Sequence, residues 1–500
     1  MRKRPRQLAK KAIWWMAFSI SFGFLILAIV LADSRPASAQ PLLGGNVRAI
    51  PAFARKYGLP CSACHSAWPE LNNFGQVFRD NGYQLMNDRD SPIWQNPTYW
   101  PMTLRITPNW HREHTNHQPV DGAPPNGAVV EQHGFDLSGV DIWTAGTLFK
   151  DISFSLLPSS DSTATFHFEN AFVRFDNLLK SRWVNVKFGK FELDNLISEK
   201  RFLFLSANGG LYQTYHFVPV GDSNNFGLGD NQLGVELSGH SVNSYRRYGI
   251  ALLSGNEGQV GLPANRGYDT YLTFSQAFQV GRLGLQRLGG YAYFGRRPTF
   301  SATTSATATG PCSTSPPSPG CFTPIAGEGL GNKSFYRVGF AGDLYILQGK
   351  WEFLPFFMHG YDNVFLGTAT PANQPLPAGA QAPTWNGGFI ESHYYVNPQL
   401  VLTGRYELIR MSRQAFSSTQ SNLGDIDAYS VGYRWYPIMF SRAGVAFHNE
   451  FSLVKTAGAI PLSGNGVGLP ALTPLLSLCS TTRCPGVWSQ SAFIGLDFDF

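Results

Sequence analysis

The 500-residue sequence has few charged side chains and, beyond residue 32, no long apolar run. Only 14% of its residues are Asp, Glu, Lys or Arg, whereas about 25% is usual in soluble proteins. A membrane-spanning helix needs about 20 consecutive apolar residues, so the sequence predicts none after residue 32. It also lacks the G-x-S-x-G, P-loop and H-E-x-x-H motifs, which argues against hydrolytic and phosphoryl-transfer chemistry.

Aromatic residues and glycine are abundant instead. Aromatic residues make up 14% of the chain, and there are 52 glycines. An aromatic, glycine-rich and charge-poor chain without spanning helices is typical of an outer-membrane β-barrel. A secreted all-β protein has a similar composition, so composition alone leaves both classes open.

The first 39 residues have the organisation of a secretory signal peptide. Basic residues such as Arg2 and Lys3 precede an apolar run over residues 12–32, and Ala37 and Ala39 suit a signal peptidase. The apolar run is longer than the usual ~7–15 residues, so an uncleaved membrane anchor is the alternative. We predict that residues 1–39 are a signal peptide.

The net charge of +6 comes from this leader. Residues 1–39 hold seven Lys or Arg and one Asp, and the remaining chain holds 32 basic and 32 acidic residues. Without the leader the chain is neutral, so its charge gives no support for nucleic-acid binding.

The six cysteines form three closely spaced pairs. Two of the pairs bracket short polar loops, which suits disulfides in an oxidising compartment, with free thiols as the alternative. The third pair belongs to a C-x-x-C-H motif that ends at His65. The pairs are Cys61 and Cys64, Cys312 and Cys321, and Cys479 and Cys484.

A C-x-x-C-H motif can attach a haem, ligate zinc or act as a redox dithiol. Zinc usually needs two further ligands at matched spacing, and no other cysteine lies within 240 residues. A redox dithiol does not require the histidine, and no thioredoxin-like βαβ pattern surrounds this one. We therefore predict one covalent haem c, attached through Cys61 and Cys64, with His65 as an axial iron ligand.

The flanking residues predict two helices around this motif. The first lies between Pro51 and Gly58, and the second follows His65 and ends at Gly82. Apolar residues of the second helix recur at three- and four-residue spacing. Together with Phe53 of the first helix, they either pack on the porphyrin or form an ordinary hydrophobic core. The aromatic members are Phe53, Trp68, Phe74 and Phe78.

The second axial ligand is less defined by the sequence. We assign it to Met86, which follows the second helix, and Met102 is the next methionine. Three histidines are rivals, and their spacing also fits a surface metal site or a solvated polar loop. They are His111, His114 and His117.

From residue 101 onward, apolar and polar residues alternate in long runs. The last run places Ile494 on one face and Asp497 on the other, and in residues 428–436 Arg434 lies on the inward face. Soluble sandwiches alternate too, but membrane strands need ~9–11 residues, as many runs here have. About 400 residues predict a large antiparallel transmembrane β-barrel of about 16–18 strands.

The sequence thus divides into residues 40–100, a small α-helical c-type haem domain, and residues 101–500, a porin-like barrel. Residues 40–100 are few for a free-standing domain, so we expect this domain to lodge in the barrel lumen. Low-complexity stretches near residues 301–321, 367–385 and 461–479 are expected to form irregular external loops.

Residues 49–83, followed by a barrel that ends in phenylalanine, resemble the fused outer-membrane monohaem cytochrome–porins of iron-oxidising bacteria. The shared pattern is Pro-x-Phe-Ala-Arg, C-x-x-C-H, Pro-Glu-Leu, Phe-Gly and Gly-Tyr. It falls on Pro51, Phe53, Ala54, Arg55, Cys61, Cys64, His65, Pro69, Glu70, Leu71, Phe74, Gly75, Gly82 and Tyr83. Over the barrel the resemblance is architectural only.

The resemblance implies oxidation of extracellular Fe(II) and delivery of electrons to a periplasmic carrier, such as a soluble cytochrome or copper protein. The expected function is thus an electron conduit through the outer membrane, with possible Fe(II) oxidase activity. The alternatives are a diffusion porin with a structural or sensory haem, and a periplasmic cytochrome tethered by its barrel.

Overall fold

A computed structural model defines the fold of most residues between 52 and 499. The signal peptide predicted for residues 1–39, and both predicted domain boundaries, lie outside the described residues and stay predictions. The described ranges are 52–57, 59–67, 70–85, 89–95, 102–118, 128–160, 165–199, 204–220, 224, 226–255, 268–298, 300–302, 310–311, 321–324, 332–364, 378–415, 418–439, 444–460 and 475–499.

The described residues 52–95, here the N-terminal segment, form short helices and one short strand pair. Helix α3 begins after Asn72, whose side chain accepts a hydrogen bond from the Gly75 amide, so Asn72 is its N-cap. The predicted second helix therefore starts later than its apolar spacing indicated, because Leu71 belongs to a strand. The elements are α1 (Ala52–Tyr57), α2 (Cys61–Cys64), β1 (His65–Ala67), β2 (Glu70–Leu71) and α3 (Asn73–Asp80).

Sixteen antiparallel strands close into a single barrel, within the range that the sequence predicted. The last strand pairs with the first, so the barrel has no open edge. Its strands are β3 (Thr103–Gln118), β4 (Ala128–Phe149), β5 (Ile152–Ser160), β6 (Phe166–Phe175), β7 (Asn185–Phe191), β8 (Gln232–His240), β9 (Arg246–Leu253), β10 (Asp269–Val280), β11 (Gly284–Pro298), β15 (Asn332–Ile346), β16 (Trp351–Asp362), β17 (Thr384–Asn397), β18 (Leu400–Arg413), β19 (Ile426–Met439), β20 (Gly444–Ala457) and β21 (Gly486–Asp499).

The three remaining strands, β12 (Phe300–Ala302), β13 (Gly310–Pro311) and β14 (Cys321–Pro324), form a small sheet between β11 and β15. The expectation of a wholly irregular loop there is wrong, because these short strands pair. Cys479 and Cys484 form the predicted disulfide, whereas Cys312 lies outside the described residues.

The two ends of the barrel differ in the length of their connections. Connections at one end, here the short-turn end, have two to nine residues, and those at the other, the long-loop end, have five to forty. The short-turn connections are 150–151, 176–184, 241–245, 281–283, 347–350, 398–399 and 440–443. The long-loop connections are 119–127, 161–165, 192–231, 254–268, 299–331, 363–383, 414–425 and 458–485.

Alternation along the strands separates an apolar exterior from a polar interior. On β19 Val431 and Trp435 are exposed on the outer face, while Arg434 is buried inside and pairs with Asp497 at 2.9 Å. On β21 Ile494 points outward and Asp497 inward, which confirms the predicted faces. Two successive side chains of a strand point to opposite sides, so this pattern follows directly from the sequence.

Residues 192–231, here the internal segment, connect β7 to β8, and their described parts, 192–199, 204–220, 224 and 226–231, fold into the barrel. Arg405 of β18 donates to the carbonyl of Leu211 at 2.9 Å, and Tyr212 stacks on Phe389 of the adjacent strand β17 with ring centroids 4.3 Å apart. On one side of the barrel the Tyr271 hydroxyl of β10 donates to Asn195 Oδ1 at 3.3 Å, and on the other side Asn208 donates to the Ser489 hydroxyl of β21 at 3.1 Å. Strands β10 and β21 are eight positions apart in the ring of sixteen strands, so the segment crosses the lumen between opposite walls.

The internal segment and the barrel wall share an apolar core. Burying each aromatic side chain contributes about 1.5–3 kcal/mol, so this packing stabilises the segment inside the lumen. The buried aromatic residues of the segment and the wall include Tyr212, Tyr215, Phe226, Tyr271, Tyr291, Tyr293, Phe335, Phe356 and Phe389.

Among the described residues, no helix has the length and apolar character needed to cross a membrane.

Candidate functional site

The C-x-x-C pair lies on a single helical turn. Helix α2 spans Cys61–Cys64, and the amide of Ala63 donates to the carbonyl of Pro60 at 3.0 Å. His65 follows directly and begins β1. The three residues predicted to bind haem therefore lie within five residues of chain, two on the helical turn and one at the start of β1.

Asn72 holds this turn against helix α3. Its backbone amide donates to the carbonyl of Cys64 at 2.9 Å, and its side-chain amide donates to the carbonyl of Ala63 at 3.1 Å. The same side chain caps α3 through the Gly75 amide. One residue thus fixes both the C-x-x-C turn and the start of the next helix. This role was not predicted from the sequence, although an asparagine just before a helix is a common N-cap signal.

The imidazole of His65 is oriented by its own chain. Its Nδ1 lies 3.2 Å from the carbonyl oxygen of Glu70, a contact that assigns the hydrogen to Nδ1. That tautomer carries its lone pair on Nε2, and metal-bound histidines commonly donate their other ring N–H in this way. The geometry fits a histidine that binds iron through Nε2.

Cys64 and His65 line a cavity of about 1150 Å³ between the N-terminal segment and the barrel wall. This exceeds the ~300–1,000 Å³ of typical small-molecule sites. One part of its lining is aromatic and includes Phe53, Phe78 and Tyr83. Another part is charged and holds both basic and acidic side chains, among them Lys187, which pairs with Glu236 at 2.6 Å. The aromatic part offers the apolar surface that a flat ring such as haem needs.

Aromatic packing joins the N-terminal segment to strand β4. Phe53 stacks on Tyr83 at 5.4 Å between ring centroids and meets Phe78 and Trp143 edge-on at 5.0 and 5.6 Å. Phe74, in contrast, is 44% exposed and does not line the cavity. Of the aromatic residues predicted for the pocket, Phe53 and Phe78 meet there, and Trp68 lies outside the described residues.

Buried ion pairs dock the N-terminal segment at the short-turn end. Arg247 of β9 binds both carboxylate oxygens of Asp80, at 2.9 and 3.1 Å. Burial by itself would raise the pKa of Asp80, but Arg247, His240 and Arg79 outweigh it and hold this pKa well below its usual range. Asp80 therefore stays ionised and paired with Arg247.

Backbone contacts complete this docking. Arg174 of β6 donates to the carbonyls of Arg79 and Asp80 at 2.9 and 3.2 Å. Thr147 of β4 donates its hydroxyl to the carbonyl of Gly82 at 2.9 Å. Sequence reasoning could not identify these wall residues, because they are distant in the chain and meet the segment only when the barrel closes.

None of the described candidates for a second axial ligand lines the cavity. Met86 lies outside the described residues and stays a prediction, and Met102 is 53% exposed and away from the cavity lining. The rival histidines lie on β3 toward the long-loop end, where His114 contacts Glu131 at 3.1 Å and stacks on Trp488. The cavity lies at the opposite end.

Gly75 allows helix α3 to approach the C-x-x-C turn. A Cβ atom on Gly75 would lie 2.2 Å from the carbonyl oxygen of Cys64. We expect Gly75→Ala to force the two apart at a cost of about 1–3 kcal/mol, and to lower several-fold the amount of the predicted covalent haem per protein. Absorbance of the purified protein measures that ratio.

The matched control is Gly134→Ala on β4, where no atom lies within 4 Å of the added Cβ. This variant should keep the haem content of the unmodified protein. Equal haem content in both variants would show that the close approach is unimportant for attachment.

A closed antiparallel barrel with an apolar exterior and a polar interior defines an outer-membrane β-barrel protein of the porin type. The protein thus resides in the bacterial outer membrane, in contact with its lipid. Short turns face the periplasm and long loops face outward in such barrels, so the C-x-x-C-H motif lies at the periplasmic end.

No protein-family model matches the sequence, and no curated protein matches it. Solved structures with a similar barrel include an anion-selective porin from Comamonas acidovorans (TM-score 0.46, 10% identity, 80% of this chain and 98% of that one). A second is the outer-membrane channel DcaP of Acinetobacter baumannii (TM-score 0.46, 9% identity, 82% of this chain and 100% of that one). A third is OmpT of Vibrio cholerae (TM-score 0.45, 13% identity, 80% of this chain and 99% of that one). At these identities the likeness concerns overall barrel form alone.

Proposed function

We propose that the protein conducts electrons through the outer membrane. In this proposal a haem c held by Cys61, Cys64 and His65 accepts one electron from each extracellular Fe(II), which leaves as Fe(III), and passes it to a periplasmic carrier. One observation carries the proposal: Cys64 and His65 of the C-x-x-C-H motif line a large cavity within a closed membrane barrel. Covalent haem c supplies the one-electron redox centre.

The surrounding residues have distinct parts in this proposal. The Glu70 carbonyl orients His65 for the iron. The aromatic group of Phe53, Phe78 and Trp143 gives the site an apolar wall, which limits water access and so tunes the redox potential.

The internal segment occupies part of the lumen, which supports electron transfer more than the diffusion of solutes. The hydrocarbon core is ~30 Å thick, and the internal segment crosses the lumen within it. Tyr215 packs on Phe356 at 4.8 Å, and Phe356 stacks on Tyr291 at 5.3 Å between ring centroids. These contacts place packed aromatic side chains inside the lumen, against the barrel wall.

The test uses haem-loaded protein in vesicles that enclose a membrane-impermeant oxidant. External Fe(II), at the working pH of the organism, should reduce the haem within seconds, seen in its α-band, and then consume the enclosed oxidant. Vesicles with the Cys61→Ala/Cys64→Ala protein provide the control. Failure of Fe(II) to reduce the haem would exclude Fe(II) as the donor.

The diffusion porin with a structural or sensory haem remains the second candidate. The barrel alone favours it more directly than the conduit, because sixteen antiparallel strands are porin-sized. The periplasmic cytochrome tethered by a barrel is favoured by the position of the motif at the periplasmic end. In vesicles, this third function predicts that a reductant reduces the haem only when it is supplied on the side of the short-turn end.

A further inference from the structure

Four polar atoms converge where the N-terminal segment meets strands β16 and β17. His393 Nδ1 lies 3.0 Å from Glu70 Oε2 and 2.7 Å from Glu352 Oε2. The hydroxyl of Tyr395 lies 2.8 and 2.5 Å from the same two oxygens. Glu70, Glu352 and His393 are each 3% exposed or less. These four residues are here called the Glu70 cluster.

When both carboxyl groups of the Glu70 cluster are ionised, the cluster has fewer hydrogen atoms than short contacts. The Tyr395 hydroxyl and His393 Nδ1 can each supply one hydrogen, whereas each faces two carboxylate oxygens at hydrogen-bonding distance. Two hydrogens then serve four short contacts. A proton on one carboxylate, or a cation between the two, relieves this shortage.

The net charge around the Glu70 cluster also favours a bound cation. Glu70, Glu352 and Glu391 carry three negative charges when ionised, against Arg405 and, if protonated, His393. Glu407, 4.0 Å from Arg405, adds to the negative excess. Buried charge is costly unless it is paired or coordinates a metal, so a bound cation would stabilise this region.

The second nitrogen of His393 has the environment of a metal-ligating histidine. Its Nε2 lies 2.7 Å from Glu391 Oε1, and Arg405 holds the other carboxylate oxygen of Glu391 at 3.4 Å. A carboxylate that accepts the remote N–H of an imidazole is the usual support for a metal ligand. This feature is independent of the acidic residues that face Nδ1.

We propose that Glu70, Glu352 and His393 bind one first-row divalent metal ion. Their ligand atoms all lie within 4.8 Å of one another. Neighbouring ligands of an octahedral ion with ~2.1 Å bonds are about 3.0 Å apart, close to the two separations from His393 Nδ1. Two carboxylates and one imidazole suit Fe(II), Mn(II) or Zn(II).

The site goes beyond the proposed electron transfer and does not depend on haem. Glu70 also lines the large cavity, which gives an ion a route to the site. Because Glu70 belongs to the N-terminal segment and the other ligands belong to the barrel, the ion would fasten one to the other. Glu70 also orients His65 through its carbonyl.

Equilibrium dialysis of the full mature protein against Zn(II), with metal quantified by mass spectrometry, tests the site. Zinc avoids interference from haem iron. We expect one tightly bound Zn(II) per chain, and at least tenfold weaker binding in Glu352→Gln, His393→Gln and Glu70→Gln. Glu70 is not part of the barrel, so Glu70→Gln remains informative even if the strand variants do not fold.

The matched control is Glu450→Gln, which alters another buried histidine–carboxylate pair, since Glu450 lies 3.0 Å from His448. It should bind Zn(II) like the unmodified protein. Absence of tight Zn(II) binding, or unchanged binding in Glu70→Gln, would overturn the proposal. Slower mobility on unheated gels, a property of unfolded barrels, identifies variants that fail to fold.

Discussion

The Cys61→Ala/Cys64→Ala protein should lose all covalently bound haem while its barrel still folds. Thioether bonds cannot form without the two sulfur atoms, and His65 alone would hold a haem only reversibly. The barrel should persist because α2 is not among its strands. Peroxidase staining of a denaturing gel detects covalent haem, and heat-dependent gel mobility reports barrel folding.

The control removes the same number of cysteines elsewhere. Cys479→Ala/Cys484→Ala breaks the disulfide in the connection between β20 and β21, at the long-loop end. This protein should stain for haem like the unmodified chain. Haem stain that persists without Cys61 and Cys64, or that is absent from the unmodified protein, would remove the basis of the proposed function.

The intact protein should show little ion conductance in a planar bilayer, and removing both lumen obstructions should raise it at least tenfold. The N-terminal segment lies at the short-turn end, and the internal segment crosses the lumen. Obstructions in series add their resistances, so removing only one leaves the other to limit the current. Single-channel recording measures the effect.

Two deletions and their combination make this test. One begins the mature chain at residue 102, and the other replaces residues 204–220 of the internal segment with a short Gly-Ser linker. Each single deletion is the control for the double one, and only the combination should conduct like an open porin. Porin-level conductance of the intact protein would favour the diffusion porin over the conduit.

The barrel was largely predictable because strand alternation is a local property. The opposite faces of Ile494 and Asp497, and the inward position of Arg434, follow from the period of two. The helical C-x-x-C turn was equally local. The predicted start of α3 was wrong, because the prediction relied on the spacing of apolar residues and did not consider Asn72 as an N-cap.

The internal segment and the Glu70 cluster were not predictable in the same way. Residues 192–231 have no strong period, and their partners, such as Arg405 and Phe389, are more than 150 residues away in the chain. The cluster joins Glu70 to His393 across more than 300 residues. Such contacts depend on barrel closure, which brings distant strands to one end.

The sequence by itself determined an exported, charge-poor β-barrel and a C-x-x-C-H motif in a short helical region, because alternation and motif spacing act over a few residues. Only the tertiary structure decided that this motif faces a cavity at the short-turn end and that the internal segment crosses the lumen. It also decided that Glu70, Glu352 and His393 meet. Closing sixteen strands fixes distances between residues that no local pattern relates.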